Sequence, residues 1–340
     1  MNWNLYTFNG SDAKGRDASV DILKFFAVFL IINSHADICY PKFSFLATGG
    51  AIGDCLFLFC SGYSLLWSAP KRFDNFYKRR INRIYPSVFA VLLIQIWLGF
   101  DNLQNLTWMK LLGGGGQFVV AIMIYYVLFY IVQKYFVNKI SLVIIFVTLL
   151  TFIAYCFFPY KNGVGENGIY GTVTIFRWIP YFIIMLLGAW IGLNKRNGQL
   201  KVVTTWRDLF LMIICLIVFY GIQLAAKKST SFAPYQIVSI FFLVGVVFYL
   251  WRCCNSLLLT NLYKTKIGNL IIMAVSGLCL ESYLIQFSLF TDKLNSFFPF
   301  NIPVIMTYIL IMAYICRCLA RIISQTFKSE DYNWKSVFAI

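Results

Sequence analysis

The sequence places a histidine in an apolar setting, where its chemistry is unusual. His35 is the one histidine of the 340-residue chain, and it lies in the run FFAVFLIINSHADICY at residues 25–40. A neutral imidazole can take a proton from a hydroxyl as a general base, or attack an activated carbonyl as a nucleophile. Because titratable groups at membrane depth are costly, they mark functional sites by default. His35 is therefore the first candidate for a reactive group.

A lysine precedes this histidine in the same apolar run. Lys24 and His35 are eleven residues apart, and on an α-helix that spacing returns to within about 20° of the same face after a rise of about 16 Å. The helix would carry a cation near one membrane surface and an imidazole deep in the bilayer. This arrangement suits a ligand with an anionic end and a reactive end. The alternative is that Lys24 reaches lipid headgroups and that His35 bonds a neighbouring carbonyl.

Two arginines point to a phosphate site. Arg80 and Arg83 lie in FYKRRINRIYP at residues 76–86, and residues three apart share a helix face. Guanidinium groups bind phosphate in bidentate geometry. A plain basic anchor at the membrane surface is the alternative. The pair enters the apolar segment instead of preceding it, which favours the phosphate site.

Further polar residues inside apolar runs are candidates for the same site. Glu281, in LCLESYLIQF, lies at a depth similar to that of His35, and a carboxylate beside a histidine fixes its tautomer. Glu281 could instead be protonated and bonded to another helix. We predict that Asp37, Ser61 and Gln286 line a substrate cavity, although Ser61 next to Gly62 also suits helix packing. The cysteines contain no CxxC pair, so we predict no metal site.

The composition requires a membrane to position these groups. The chain is 60% hydrophobic and 12% charged, whereas soluble domains are about one quarter charged. We predict an all-α, polytopic integral membrane protein with a single domain over 1–340: a cytoplasmic tail at 1–18, a bundle at 19–325 and a second tail at 326–340. Ten apolar segments have the length of a transmembrane helix. They are 19–38, 49–68, 79–100, 117–136, 139–158, 174–194, 206–226, 233–251, 267–289 and 303–325.

The net charge of +16 is a topology signal more than a sign of nucleic acid binding. With ten spans, most Lys and Arg residues fall on the side that both termini share. The positive-inside rule then makes both termini cytoplasmic, and some of this charge can contact anionic lipid. We therefore predict a multi-pass protein of a bacterial-type cytoplasmic membrane, with no nucleic acid partner and no prediction of oligomeric state.

The segments DILKFFAVFLIINSHAD, LFCSGYSLLW, FYKRRINRIYP and SGLCLESYLIQF together resemble the acyltransferase-3 family, whose ten-helix membrane enzymes acylate sugars of cell-surface polysaccharides. The resemblance implies acetyl-CoA or another acyl-CoA as cytoplasmic donor, and a hydroxyl of a surface glycan or lipid-linked sugar as acceptor. It implies that His35 is catalytic and that Lys24, Arg80 and Arg83 hold the donor. This chain has Lys24 where Arg is commoner in the family, and Gln286 where many members have histidine.

A transporter or flippase for a lipid-linked oligosaccharide is the main alternative function, because it would also need cations and polar groups inside the bilayer. We find no internal hydropathy repeat of the kind that many transporters show. The polar residues instead concentrate in the first three spans and the ninth. A scaffold subunit would leave the buried charges unexplained.

Overall fold

The computed structural model describes residues 17–66, 72–114, 116–158, 163–171, 173–200 and 202–339. The predicted N-terminal tail lies mostly outside the described residues. Within them the chain is helical, with no strand. The helices are α1 (Ala18–Ser34), α2 (Gly50–Leu65), α3 (Phe73–Trp97), α4 (Trp108–Gly113), α5 (Gln117–Tyr135), α6 (Ile140–Cys156), α7 (Trp178–Arg196), α8 (Trp206–Lys228), α9 (Ser239–Cys254), α10 (Leu257–Lys264), α11 (Lys266–Gly277), α12 (Cys279–Ile285), α13 (Asn301–Thr326) and α14 (Trp334–Val337).

The predicted apolar segments all fall on helices, but fewer of them qualify as spans by length and composition. In the described part of the chain, seven helices are long and apolar enough to cross a membrane, or eight if the bent pair α11–α12 counts as one span. The other two predicted spans are α1, which has 17 residues, and α3, which begins with the basic sequence FDNFYKRRINR. The predicted total of ten is therefore not reached on this criterion.

Two predicted boundaries are wrong in ways that affect the site. The first span was expected to run to residue 38, but α1 ends at Ser34 and a 3-10 turn follows at Asp37–Cys39. The ninth, expected to be continuous over 267–289, breaks between Gly277 and Cys279 with a bend of 53°. No proline lies in the run around the break, IIMAVSGLCLESYLI at residues 271–285. The run is apolar apart from its serines and Glu281.

The chain divides into two compact units, each built from separated stretches. The first unit comprises Met1–Leu23, Cys55–Ala69 and Ile131–Asn269, and the second comprises Lys24–Asp54, Pro70–Tyr130 and Leu270–Ile340. The predicted organisation as a single domain stays a prediction.

In the first unit, α2 approaches α7 through small residues. A Cβ atom on Gly62 would collide with the carbonyl of Met185, and one on Gly188 or Gly192 would collide with the backbone of Phe59 or Tyr63. Small residues allow this backbone contact, which drives helix association where lipid removes the hydrophobic effect. Gly62 thus serves packing, as its place beside Ser61 suggested.

A buried ion pair fixes the start of α1 in this unit. The Lys195 ammonium lies 2.8 Å from Asp17 Oδ2, and the two side chains are 9% and 5% exposed. The hydroxyl of Tyr63 also donates to this carboxylate, and Lys195 bonds Asn255. Burial alone would raise the pKa of Asp17, but the charge of Lys195 and the hydrogen bonds from Lys195, Tyr63 and Ser19 hold its pKa below the ordinary value.

In the second unit, α3, α12 and α13 pack against one another. At the α11–α12 break, the guanidinium of Arg317 in α13 donates to the carbonyl of Gly277. Carbonyls at a helix end lack intrahelical partners, and in a bilayer an unsatisfied one costs several kcal/mol. Arg317 therefore stabilises the bend that sets the direction of α12.

Side-chain amides hold the segment after α1 in the same unit. Asn295 donates to the carbonyl of Ile38 at 2.9 Å, and Asn301 donates to that of Cys39 at 2.7 Å. Both asparagines follow α12 in the chain. The backbone just beyond His35 is thus fixed to the segment that connects α12 with α13.

We predict that Lys195→Met lowers stability by about 3–5 kcal/mol, because it leaves the Asp17 carboxylate buried without its cation. The double variant Asp17→Asn/Lys195→Met should recover much of this loss. Since the pKa of Asp17 is lowered by folding, the contribution of the pair is complete at neutral pH and disappears as the pH falls through the folded-state value. The wild type should therefore lose more stability on acidification than the double variant does.

Thermal unfolding of the purified protein in detergent measures these differences. Lys228→Met, at an exposed lysine, is the matched control and should unfold like the wild type. A Lys195→Met protein with wild-type unfolding at neutral pH would contradict a stabilising role for the pair.

Candidate functional site

His35 follows directly on α1 and reaches the turn after α12. Its backbone N–H donates to the carbonyl of Ile32 at 3.2 Å, so the last turn of α1 tightens towards 3-10 geometry. The imidazole is half-buried, and its ring centre lies 4.7 Å from that of Phe287. The face shared with Lys24, predicted for a helix that continues through residue 35, is therefore not formed by a continuous helix, because α1 ends at Ser34. His35 lies at the end of the helix and not on its side.

The contact with Phe287 belongs to a row of aromatic rings along α12. Phe287 packs edge-to-face on Tyr283 at 6.4 Å, and Tyr283 lies 5.2 Å from Phe118 of α5, between ring centres. Phe287 is 55% exposed, so one face of the ring beside the imidazole is open. The row gives His35 an apolar surround on one side.

Glu281 is fixed by α3. The Ser87 hydroxyl donates to Glu281 Oε1 at 2.7 Å, and both residues are buried. Farther along the two elements, Gln95 donates to Ser288 at 2.9 Å. These bonds hold α12 and the turn after it against α3. The predicted pairing of Glu281 with His35 stays a prediction.

Arg80 and Arg83, the two arginines predicted to bind phosphate, differ in their surroundings in α3. The Arg80 guanidinium lies over the rings of Phe76 and Tyr126, at 5.3 and 5.5 Å from their centres. Its Nε is buried, with no hydrogen-bond partner in the described part of the chain. Arg83, one turn later, is exposed and is close enough to repel Arg80 electrostatically. Neighbouring guanidinium groups favour a shared anion, and the phosphate of a ligand fits this need.

The remaining predicted residues are distributed over both units. Lys24 is half-buried in α1, and Asp37 is exposed in the turn two residues after His35. Gln286, in the turn after α12, is 0% exposed. Ser61 lies in α2 and belongs to the first unit, whereas the others belong to the second. Among the described residues, no group of His, Cys, Asp or Glu could hold a metal ion.

Several residues of this site were not predicted. Ser87 and Phe287 have ordinary sequence surroundings, and only the fold shows what they contact.

The glycines before α5 had a visible signal, the run GGGG at 113–116, which is not a phosphate-binding pattern. In the structure, a side chain at Gly114 would collide with Leu284, and a Cβ atom on Gly116 would lie 2.7 Å from the Tyr283 hydroxyl. The run therefore allows close approach to α12.

Comparison with known protein families gives one match. The family model described as an acyltransferase domain, of the acyltransferase-3 type, matches residues 17–321. No curated protein and no solved structure matches the chain significantly. The matched range includes Arg80, Arg83, His35 and the α11–α12 bend, and it confirms the resemblance seen in the sequence motifs. The chain therefore belongs to the acyltransferase-3 family of membrane acyltransferases.

Proposed function

We propose that this protein is an O-acetyltransferase, which transfers an acyl group from cytoplasmic acetyl-CoA to a sugar hydroxyl of a surface polysaccharide or lipid-linked glycan. The contact between His35 and Phe287 carries the proposal. It brings the chain's one imidazole to the segment that also carries Glu281, in a protein of an acyltransferase family. Acetyl-CoA is the simplest acyl donor that fits; a longer acyl-CoA would use the same groups.

The charged residues would hold the donor. Arg80 and Arg83 bind phosphates of CoA, and Lys24 adds a cation on α1. Two observations support this role. A bound phosphate would accept a hydrogen bond from the buried Nε of Arg80, and its negative charge would reduce the repulsion between Arg80 and Arg83. The thioester end of the donor then extends towards His35.

His35 would act as the general base. Its imidazole nitrogen takes the proton of the acceptor hydroxyl while that oxygen attacks the thioester carbon. A C–O bond forms, the C–S bond breaks, and the imidazolium returns the proton to the departing thiolate of CoA. If the acyl group first moves to the imidazole, the same atoms balance over two steps, and His35 is a nucleophile.

The proposed site of action is the cytoplasmic membrane, with both termini in the cytoplasm. Most of the basic residues fall on that side in the ten-span topology, which supports this orientation. Membership of an acyltransferase family favours acyl transfer over the transport alternative.

We predict that His35→Ala lowers acyl transfer at least about 100-fold, because a positioned general base contributes about 10²–10⁴-fold. Radiolabelled acetyl-CoA and isolated membranes give the rate, and immunoblotting gives the amount of protein. Phe45→Ala, which removes a ring that is 74% exposed in the same loop, is the control and should keep full activity. If His35→Ala retained most of the transfer at normal abundance, the catalytic role would be wrong.

We predict that Arg80→Ala and Arg83→Ala raise the apparent KM for acetyl-CoA roughly tenfold or more, since hydrogen bonds to charged groups contribute about 1.5–3 kcal/mol. Acetyl-pantetheine, which lacks the nucleotide, should be used equally poorly by wild type and variants. Arg72→Ala is the matched control, because that side chain is 82% exposed. An unchanged KM in both variants would remove the phosphate-binding role.

A further inference from the structure

Two side chains on α12 and its following turn have polar atoms that are buried without partners. Ser282 is 1% exposed and Gln286 is 0% exposed. The Oγ of Ser282 and both the Oε1 and Nε2 of Gln286 find no hydrogen bond with any residue that the structure describes. Buried polar groups in native proteins are almost always hydrogen-bonded, and leaving an amide unpaired costs about 1–3 kcal/mol. These atoms therefore require a partner that is not part of the described chain.

Ser282 lies in α12 and Gln286 is the first residue of the turn after it, four positions later, and together they form what we call the unpaired face. Positions four apart on a helix lie one above the other, with about 5–6 Å between Cβ atoms. The residues on either side of Ser282 have contacts of their own: Glu281 accepts a hydrogen bond from Ser87, and Tyr283 contacts Phe118. Gln286 directly precedes Phe287, whose ring contacts His35. The unpaired face is thus one residue away from the contact that defines the proposed reaction centre.

The chemistry of these atoms selects among ligands. Gln286 offers both a donor, Nε2, and an acceptor, Oε1, and Ser282 adds a hydroxyl that can do either. A sugar hydroxyl both donates and accepts, so neighbouring hydroxyls can satisfy all three atoms. A phosphate or a thioester carbonyl only accepts, and would leave Oε1 unpaired. The face therefore fits the sugar hydroxyls of the acceptor better than the phosphates or the thioester of the donor; of the donor's other groups, the pantetheine amides and the hydroxyls share this chemistry.

We propose that Ser282 and Gln286 form the subsite that hydrogen-bonds the hydroxyls of the sugar acceptor. The inference rests on the proposed function, since it assigns the second substrate of the same site. It gives the donor and the acceptor different recognition chemistry. Charged groups on α1 and α3 hold the anionic donor, and neutral groups on α12 hold the uncharged sugar.

Steady-state kinetics with purified protein test the proposal. The probes are acetyl-CoA and the surface glycan of the native host, extracted and deacylated with mild alkali. Gln286→Leu should raise the KM for the glycan at least about tenfold, as expected for the loss of two neutral hydrogen bonds, with the KM for acetyl-CoA unchanged. Ser282→Ala should act in the same direction, and Gln286→Asn should fall between Gln286→Leu and the wild type.

The controls separate this effect from damage to the fold. Ser276→Ala removes a buried hydroxyl of α11, the helix before α12, that donates to the carbonyl of Met273 in the same helix. This variant should leave both KM values unchanged. Gln133→Leu removes a buried amide in the first unit, and it should do the same. Unfolding temperatures in detergent show whether each variant is folded. If Gln286→Leu does not fold, Gln286→Asn supplies a milder change at the same position.

The possible outcomes are distinct. A raised KM for acetyl-CoA with an unchanged KM for the glycan would assign the face to the donor and overturn the proposal. Unchanged values for both substrates in folded Gln286→Leu would mean that trapped water satisfies the amide, and would also overturn it. If the wild type transferred no acyl group to the glycan while binding acetyl-CoA, the proposed function itself would fail at the acceptor.

Discussion

A broken helix leaves backbone carbonyls that need hydrogen-bond partners, and the α11–α12 bend is arranged so that side chains of the protein supply them. The carbonyl exposed at Gly277 is bonded by Arg317, and beyond the bend Ser87 and Gln95 fasten α12 and its following turn to α3. With its direction set at both ends, this segment carries Glu281, Gln286 and Phe287. Loss of the bend would move these side chains together relative to His35.

The arrangement separates two kinds of polar surface in the second unit. Cationic side chains lie on α1 and on the first half of α3, where Arg80 is framed by aromatic rings. Neutral unpaired groups lie on α12. The backbone N–H of His35 donates to the carbonyl of Ile32 at the end of α1, and the amides of Asn295 and Asn301 fix the backbone after it. Under the proposed function, this division would suit an anionic donor and a hydroxylated sugar acceptor, because each substrate would meet groups of matching chemistry.

The sequence allowed the helices and the family to be predicted, because apolar length and the motif segments are local signals; the roles of the individual polar residues stay predictions. The bend was not predicted, although the pair Ser276-Gly277 is of a kind at which helices kink; the stabilising Arg317 lies 40 residues away and gives no local signal. Likewise, the contact of His35 with Phe287 and the bond of Glu281 with Ser87 join distant stretches. The end of α1 at Ser34 was missed because the residues after it stay apolar enough for a helix. The number of spans differs because α1 has only 17 residues and α3 is too charged at its start to qualify on composition.

Since the chain has a single histidine, nuclear magnetic resonance of protein labelled with ¹⁵N-histidine, purified through a tag without histidine, reports on His35 alone. A non-reactive thioether analogue of acetyl-CoA would be titrated into this sample while its binding is followed separately. Our account predicts that the imidazole resonances shift saturably as the analogue binds, because its acyl end comes to lie against the ring. Resonances that stay unchanged at saturating analogue would contradict the placement of His35 at the reaction centre.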